Sequence, residues 1–391
     1  MEDNSIPFNW PFMTGRELGY IQQAHRNGVL SGGGSFSRLC ESWLAERSGS
    51  ARTLLTHTCT DALEMAALLL RIEPGDEIIM PSYTYVSTAN AFVLRGAIPV
   101  FVDVRADTLN LDENLIEAAI TPRTRAIVPV HYAGVACEMN QIMEIAAEHH
   151  LAVVEDAAQG ILASYRGRAL GSIGDLGAYS FHETKNVMSG EGGCLLINDS
   201  ELVARAEIIR EKGTDRSCFF RGEVDKYRWQ DLGSSFLPSE IIAAFLWAQL
   251  EEADDITNRF KQLWTAYHAM LEPLEARGLL RRPVIPQGCE HNAHIYYVLI
   301  APTIVREQVV GELDRNGVDA IPHYVPLHDA PAGRRYGRVA GELPVTNAIA
   351  EQVLRLPMWI GLTREQQERV VDVLDATLSN AGPARRAALA A

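Results

Sequence analysis

The sequence predicts an α/β protein with a large, mostly parallel sheet covered by helices on both faces and a smaller C-terminal α+β domain. Three observations indicate this architecture. Short apolar strands alternate with helical segments between Thr60 and Asp156. Two further strands then follow each other with no helix between them. A long helical stretch from Ser239 to Leu274 leads to a second group of strands and helices, so we predict a large domain at 1–255 and a small domain at 256–391.

Elements of the large domain alternate in a regular order. Leu63, Ala66 and Leu70 recur at helical spacing, and Pro74-Gly75-Asp76 marks a turn before the next strand. The pattern predicts helices at 60–70, 85–95, 113–120 and 141–149, and strands at 77–80, 99–102, 125–130 and 151–155. Strands that are apolar throughout are typical of a parallel sheet buried on both faces.

Other parts of the chain are less regular. The first 50 residues are predicted to be irregular, with a glycine-rich loop at 31–35, and the tail from Ala381 is predicted to be frayed. Strands are predicted at 176–181 and 194–197, on either side of Gly190-Glu191-Gly192-Gly193. In the small domain the pattern predicts strands at 295–300 and 319–325, with a helix at 305–316 between them.

Composition and charge exclude several functions. Lys plus Arg number 35 and Asp plus Glu number 50, and the net charge of −15 argues against binding to nucleic acid or to an anionic membrane surface. No apolar run approaches the ~18 residues of a membrane span, and the acidic start does not resemble a signal peptide. The six scattered cysteines predict reduced thiols and a cytoplasmic location. No metal site is predicted, because nothing beside His291 and His294 completes a ligand set.

Asp156 and Lys185 carry the chemical hypothesis. Asp156 follows an apolar strand, at the sheet edge where functional residues gather, although an isolated acid there is more often a helix or turn cap. Lys185 also follows an apolar strand, and its ordinary interpretation is a solvated loop residue. A desolvated lysine loses its proton more easily and can form a Schiff base. An acid for a pyridine nitrogen, together with a lysine for an aldehyde carbon, is what pyridoxal 5'-phosphate requires.

The phosphate of such a cofactor needs a cup of hydrogen-bond donors. Thr58, Cys59 and Thr60 run directly into the helix predicted from about Asp61. A helix N-terminus offers free backbone N–H groups and a partial positive charge, and the two threonines add hydroxyl donors. Ser180, at a strand end, is a further candidate donor.

These segments, taken in order, resemble one protein family. The segments are Thr58-Cys59-Thr60, Pro81-Ser82-Tyr83-Thr84-Tyr85, Glu155-Asp156-Ala157-Ala158-Gln159, Ser180-Phe181-His182-Glu183-Thr184-Lys185 and Gly190-Glu191-Gly192-Gly193. Together they resemble the DegT/DnrJ/EryC1/StrS sugar-nucleotide aminotransferases, and the resemblance covers about 6–379. It implies fold type I of the pyridoxal-phosphate enzymes. It also implies a transaminase that moves an amino group from L-glutamate to a keto sugar nucleotide.

The resemblance assigns roles around the cofactor. Lys185 is similar to the lysine that binds the cofactor, and Asp156 to the partner of its ring nitrogen. Gln159 resembles the residue that bonds the ring hydroxyl, and Tyr85 the aromatic that stacks on the ring. The phosphate cup is assigned to four residues: Thr58, Cys59, Thr60 and Ser180.

Two departures from the family pattern concern the phosphate. Cys59 stands where the family usually has glycine, so only its backbone N–H is expected to donate. The family often sends an asparagine from the neighbouring subunit, and the matching segment here is Gly233-Ser234-Ser235, with Ser234 as the candidate. Cofactor phosphate, nucleotide diphosphate and donor carboxylate would bring several negative charges into one cleft of an acidic chain. For this reason, and from the resemblance, we expect a homodimer with shared active sites.

Substrate-binding residues are expected in two places. The segment 210–228 has six basic and four acidic residues, which fits either a solvated face or a clamp for the nucleotide diphosphate through Arg216 and Arg221. Tyr324 and His328 match a family motif near the substrate, although spacing alone indicates a structural role for His328.

The identity of the sugar depends on the resemblance alone. The stretches 81–97 and 131–139 look most like members that aminate C4 of dTDP-4-keto-6-deoxy-D-glucose. Amination at C3 and a UDP-sugar substrate remain alternatives. A cofactor-binding regulator without turnover is another, against which Lys185, Asp156 and Gln159 together argue. The stereochemistry at the aminated carbon is left open.

Overall fold

A computed structural model describes residues 5–380 of the chain, so the frayed tail predicted from Ala381 lies outside the described residues. The strands are β1 (Arg52–Thr56), β2 (Glu77–Pro81), β3 (Ile98–Val102), β4 (Thr124–Ile127), β5 (Ala152–Asp156), β6 (Ser164–Tyr165), β7 (Arg168–Ala169), β8 (Leu176–Ser180), β9 (Gly193–Ile197), β10 (Leu280–Arg281), β11 (Cys289–Glu290), β12 (Tyr296–Ile300), β13 (Arg338–Val339) and β14 (Val353–Leu356).

Helices cover these strands along the whole described chain. The α-helices are α1 (Glu17–Arg26), α2 (Ser35–Ser48), α3 (Cys59–Leu69), α4 (Val86–Val93), α5 (Ile116–Ala119), α6 (Met139–His149), α7 (Val203–Arg210), α8 (Arg216–Phe220), α9 (Glu240–Leu250), α10 (Ala253–Met270), α11 (Glu272–Ala276), α12 (Arg306–Arg315), α13 (Pro331–Tyr336), α14 (Pro344–Gln352) and α15 (Arg364–Asn380). Short 3₁₀ turns lie at Glu113–Leu115, Tyr132–Gly134, Ser200–Leu202 and Leu327–Asp329.

An eight-stranded sheet forms the centre of the large domain, in the order β1-β9-β8-β5-β4-β2-β3-β13. Strand β9 is antiparallel to both of its neighbours, and the other pairs are parallel. Successive residues of a strand face opposite sides, so Val153 packs in one hydrophobic core and Val154 in the other. Burial on both faces explains the uninterrupted apolar strands, and the predicted α/β fold is confirmed.

A three-stranded antiparallel sheet, β10-β12-β14, forms the centre of the smaller unit. Its core takes side chains from α10, α12 and α15. Ile6 pairs with Val318 and packs in this core, whereas β13 returns to the edge of the large sheet beside β3. Because chain segments cross between the two cores, the domain boundary at residue 255 stays a prediction.

The first 50 residues are helical in part, so the prediction of an irregular segment was wrong. Helix α2 buries Phe36, Cys40 and Leu44 at i, i+4 and i+8. The stripe is narrow, and the buried charged residue Glu41 interrupts it. Two arginines pair with that carboxylate, Arg52 and Arg210, and a local pattern does not reveal Arg210, which is more than 160 residues away.

Two other predictions also need correction. The helical stretch from Ser239 to Leu274 consists of α9, α10 and α11 with breaks between them, and the helix predicted at 113–120 is a 3₁₀ turn followed by one short helix. The strand predicted at 319–325 is absent, since Ile321 makes only an isolated bridge with Arg355. Pro322 has no N–H to continue the ladder.

Candidate active site

Three strand ends and one helix start meet at a single point. Gly193 pairs with Thr56 on one side and with Ser180 on the other. The first turn of α3 lies directly on Gly193, since a Cβ built there would stand 2.3 Å from the carbonyl carbon of Thr58 and 2.4 Å from the Cys59 nitrogen. Only glycine permits this approach. Because Ser180 pairs with the same glycine, Ser180 and the N-terminus of α3 lie at the same edge of the sheet.

The start of α3 is held by a capping box. Thr58 Oγ1 accepts from the Asp61 N–H at 3.1 Å, and Asp61 Oδ2 accepts from the Thr58 N–H at 3.1 Å. The N–H groups of Cys59 and Thr60, at the first two helical positions, have no acceptor inside the helix. Thr60 Oγ1 donates to Ser87 Oγ at 2.7 Å, so a second serine joins the predicted cup.

Asp156 ends β5 with both carboxylate oxygens accepting hydrogen bonds. Thr88 Oγ1 donates to Oδ2 at 2.7 Å, and the N–H of Ala158 donates to Oδ1 at 3.2 Å. Because the Thr88 proton points at the carboxylate, the 2.7 Å contact between Thr84 and Thr88 has Thr84 as its donor. Thr84, Thr88 and Asp156 thus form one chain of hydrogen bonds that ends at the carboxylate.

Lys185 lies in the loop after β8, close to Asp156 and Cys59. Burial lowers the pKa of Lys185, because desolvation disfavours the ammonium form; Arg355 lowers it further, while Cys59 and Asp156 raise it. Burial raises the pKa of the Cys59 thiol well above its ordinary value, and Asp156 adds to that rise. Both shifts favour a neutral amine on Lys185 and a protonated thiol on Cys59, so Lys185 stays the predicted nucleophile.

A polar cluster from the segment before β12 supports the loop that carries Lys185. His294 Nδ1 lies 2.9 Å from Asn186 Oδ1, and Asn186 Nδ2 donates to the Asn292 carbonyl at 2.9 Å. Asn292 Nδ2 in turn donates to the carbonyl of Gln159 at 2.8 Å. A Cβ at Gly134 would stand 2.0 Å from Asn292 Oδ1, and φ is +74° there, so this contact requires glycine.

Gln159 and Tyr324 connect the large domain to the loop after Pro322. Gln159 Nε2 donates to the Tyr324 hydroxyl at 2.9 Å, and its Oε1 accepts from the N–H of Ala133 at 2.6 Å. Tyr85 is 59% exposed at the start of α4, with its ring centre 6.4 Å from that of Tyr324. The structure thus places Gln159, Tyr85 and Tyr324 on one side of the pocket.

His328 fixes the same loop to the large sheet. Its Nδ1 lies 2.7 Å from Ser82 Oγ, just beyond β2, and the N–H of Leu327 donates to the Ser82 carbonyl at 2.9 Å. The contacts of His328 therefore position the loop that carries Tyr324. Contact of His328 with a substrate stays a prediction.

The structure does not join Arg216, Arg221 or Ser234 to the pocket through any contact among the described residues. Arg216 pairs with Glu211 at 3.1 Å, and Arg221 pairs with Glu207 at 2.7 Å. The carbonyl of Ser234 accepts from the N–H of Lys212 in the same segment at 3.0 Å. Within one chain these two arginines already have acidic partners.

Several residues of the pocket were missed by reasoning from the sequence. Thr88 follows Tyr85 by three residues and lies one helical turn later, a spacing that could have indicated it. His294 entered the sequence analysis only as a possible metal ligand, and Arg355 gave no local signal. The contact with Asn186, 108 residues away, identifies His294, and the contact with Pro322, 33 residues away, identifies Arg355.

The pocket fits pyridoxal phosphate on three counts. The amine of Lys185 is desolvated, and both oxygens of the Asp156 carboxylate accept hydrogen bonds. Free N–H groups at the start of α3 lie beside the end of β8. Across residues 5–380, no three His, Cys, Asp or Glu side chains come together as ligands for a metal ion. No helix in this range has the length and apolar character that crossing a bilayer requires.

Comparison with known proteins identifies the family. A profile of the DegT/DnrJ/EryC1/StrS aminotransferase family matches residues 11–375. The chain is 34% identical to GDP-perosamine synthase of Caulobacter vibrioides over 371 residues, which cover 94% of this chain and 97% of the relative. It is 37% identical to dTDP-3-amino-3,4,6-trideoxy-alpha-D-glucose transaminase of Streptomyces venezuelae over 316 residues, 80% of this chain and 79% of the relative. The crystal structure of the aminotransferase TlmJ from Streptoalloteichus hindustanus superposes with a TM-score of 0.88 at 30% identity, covering 96% of this chain and 99% of that one.

These matches confirm three expectations from the sequence. The fold is that of the pyridoxal-phosphate sugar aminotransferases, the cofactor is pyridoxal 5'-phosphate, and the protein is a transaminase. The alternative of a regulator without turnover is therefore dropped. With nearly its whole length matched by the profile, this chain belongs to the DegT/DnrJ/EryC1/StrS aminotransferase family.

Proposed function

We propose that the protein transfers the amino group of L-glutamate to C4 of dTDP-4-keto-6-deoxy-D-glucose, forming a dTDP-4-amino-4,6-dideoxyhexose. The observation that carries the reaction type is the meeting of Lys185, Asp156 and the start of α3 in one pocket. The choice of this sugar is supported by the stretches 81–97 and 131–139, which resemble those of family members that aminate C4 of dTDP-4-keto-6-deoxy-D-glucose. Both flank the pocket, where the rings of Tyr83 and Tyr132 lie 5.6 Å apart.

Lys185 and Asp156 divide the chemistry between them. When bound, the cofactor withdraws electrons from the carbon that carries the amino group. Asp156 keeps the cofactor's ring nitrogen protonated, and Thr88 and the N–H of Ala158 stabilise the charge that this requires. Lys185 Nζ, with its lowered pKa, accepts the proton from Cα of L-glutamate. The amine would pass that proton to the carbon of the bound cofactor that keeps the amino group. In the second half of the cycle it would take a proton back from that carbon and deliver it to C4 of the sugar.

The ring position and the nucleotide are the points most open to test. The Streptomyces relative carries its amine at C3 by name, and the Caulobacter relative acts on a GDP sugar by name. Another relative, from Shewanella sediminis, acts on a UDP sugar by name. Amination at C3 and a nucleotide other than dTDP, such as UDP, are therefore the competing proposals. Incubation with dTDP-4-keto-6-deoxy-D-glucose and L-glutamate, followed by NMR of the product, decides among them. An amine at C4 supports the proposal, whereas turnover only with another nucleotide or at C3 contradicts it.

A homodimer with shared sites is part of the proposal. The segment 210–235 exposes large apolar side chains, with Phe220 at 69%, Tyr227 at 52% and Trp229 at 80% exposure. Burial of such side chains against a second chain is favourable, because it removes apolar surface from water. Contacts made by Arg216, Arg221 and Ser234 with a substrate or cofactor then take place across the dimer. The cytoplasmic location likewise stays a prediction.

A further inference from the structure

Arg355 lies on β14 and faces the junction between the two domains. Its neighbours Leu354 and Leu356 pack inside the core of the small domain. Because side chains alternate along a strand, Arg355 points to the opposite face, where its partner across the sheet is Tyr297. Tyr297 packs 5.5 Å, centre to centre, from Tyr132 of the large domain.

The guanidinium of Arg355 has no acidic partner among residues 5–380. Its Nε and Nη2 both donate to one neutral acceptor, the carbonyl of Pro322, at 3.2 Å and 3.1 Å. Its central carbon lies 4.8 Å from the ring centre of Phe8. Asp319, on a neighbouring segment, accepts instead from the N–H of Phe8. A guanidinium carries five N–H donors, so most of its capacity to bind an anion is unused.

Arg355 stands close to the reacting centre. Pro322, which it contacts, is two residues before Tyr324, and Tyr324 bonds to Gln159 beside Asp156. Burial lowers the pKa of Lys185 and of His294, and in both cases the charge of Arg355 lowers it further. Burial also lowers the pKa of Arg355 itself, so an anion that neutralises its charge gains more than it would in water.

Two kinds of anionic group enter this pocket during the proposed reaction: the carboxylates of the amino donor and the diphosphate of the nucleotide. The α-carboxylate of an amino acid is attached to the same carbon as the reacting amine. The diphosphate is attached to C1 of the sugar, across the ring from C4. A cation whose field reaches Lys185 is therefore better placed for a carboxylate, and a guanidinium matches a carboxylate with two parallel hydrogen bonds.

We propose that Arg355 binds a carboxylate of the amino donor and thereby selects amino acids as donors. The inference rests on the proposed transfer from an amino acid. It does not depend on the identity of the sugar, because the donor half of the cycle needs no sugar nucleotide.

The test follows the donor half-reaction alone. The cofactor-loaded enzyme is mixed with L-glutamate in single-turnover experiments, and the absorbance change of the cofactor is followed as a function of L-glutamate concentration. In R355Q the apparent Kd for L-glutamate should rise roughly 10- to 100-fold, the loss typical of a charge-assisted bidentate contact. R355K should recover part of the affinity. Calorimetric binding of glutarate, an unreactive dicarboxylate, should weaken in parallel.

Donor amides identify the carboxylate. L-glutamine lacks the γ-carboxylate, and the α-amide of L-glutamate lacks the other. One of the two amides should bind the wild type and R355Q with nearly equal affinity, which supports the proposal and names the group. Equal weakening of all three donors, or a loss confined to the half-reaction with the keto sugar, would overturn it.

The control variant is R315Q. Arg315 is a 69% exposed cation on α12, paired with Glu312, and its loss should leave the donor half-reaction unchanged. Thermal unfolding of R355Q shows whether the variant is folded. If L-glutamate does not react with the wild type, the proposed donor is wrong. In that case, the amino acid that does react and its amides are compared in the wild type and R355Q, which tests Arg355 separately from the identity of the donor.

Discussion

His294 Nδ1 lies 2.9 Å from Oδ1 of Asn186, the residue that follows Lys185. An amide oxygen only accepts hydrogen bonds, so His294 donates from Nδ1. Burial lowers the pKa of His294 well below its ordinary value, and Lys185 and Arg355 lower it further. The imidazole is therefore neutral at working pH. Since β12 begins two residues after His294, this hydrogen bond ties the lysine loop to the small domain.

Replacing His294 by leucine should lower kcat about tenfold, because Asn186 loses a buried hydrogen bond that holds the lysine loop. The shape of the pH–rate profile should not change, since His294 does not titrate in the working range. Steady-state kinetics between pH 6 and pH 9 measure both quantities. A lost limb of the profile would instead show that His294 exchanges protons in the reaction. The double variant H294L/N186L should lose less activity than the two single losses combined, because both variants remove the His294–Asn186 contact, while N186L alone also removes the hydrogen bond to the Asn292 carbonyl.

Lys185→Ala should abolish turnover, because no other amine is placed to hold the cofactor and to move the proton. Borohydride reduction followed by mass spectrometry should find cofactor attached to the wild type and none attached to the variant. The matched control is K261A, which removes a lysine on α10 and should keep full activity. Appreciable transamination by K185A would remove Lys185 from this role.

Asp156→Asn should keep the fold and lower the rate at least roughly 100-fold, because an amide does not hold the ring nitrogen protonated. Thr88→Val, which keeps the shape and removes the hydroxyl, should cost about tenfold. Thr88→Ser restores the donor and should recover most of the activity. Single-turnover rates with L-glutamate measure all three variants. A rate for T88V equal to that of the wild type would show that the 2.7 Å contact does not support the charge of Asp156.

The lowered pKa of Glu77 predicts that the stability of the protein depends on pH. Hydrogen bonds from Arg338 hold its pKa at about 2, below the ordinary 4.5, with Arg123 and Thr121 assisting against desolvation. A depressed pKa means that the stabilisation is fully present above about pH 4.5 and is lost as the pH falls towards 2. Denaturant unfolding should show the wild type losing on the order of 2 kcal/mol more than E77Q over this window.

A suitable control for E77Q is E351Q. Glu351 is exposed on α14, and its replacement should leave the acid dependence of the wild type intact. The same acid dependence in E77Q as in the wild type would show that other carboxylates cause the loss.

Mixed dimers test the shared active site. Lys185→Ala is combined with a variant in which Arg216 and Arg221 are both glutamine, each inactive alone under the proposal. Hybrid dimers then contain one intact site, and some activity should return on mixing. Light scattering establishes the dimer, and tagged subunits establish exchange. No recovery despite exchange would mean that each chain builds its site alone.

The local pattern of the sequence determined the large sheet and the residues at its carboxyl edge. Strands β2 to β5 alternate with helices at short range, so their apolar runs and turns identify them without tertiary information. Asp156, Lys185 and the Thr58 to Thr60 segment stand at strand ends or a helix start, and the resemblance to a family connected them. Chemistry that depends on a strand end or a helix start is readable in this way.

Tertiary structure decided what surrounds those residues. Arg355 bonds to the carbonyl of Pro322, 33 residues away, and His294 contacts Asn186 across more than 100 residues. The helices of the first 50 residues likewise depend on distant partners, such as Arg210 for Glu41. Hydrophobic periodicity records which face of a segment is buried, but it does not record which distant segment covers that face or which charge meets another there.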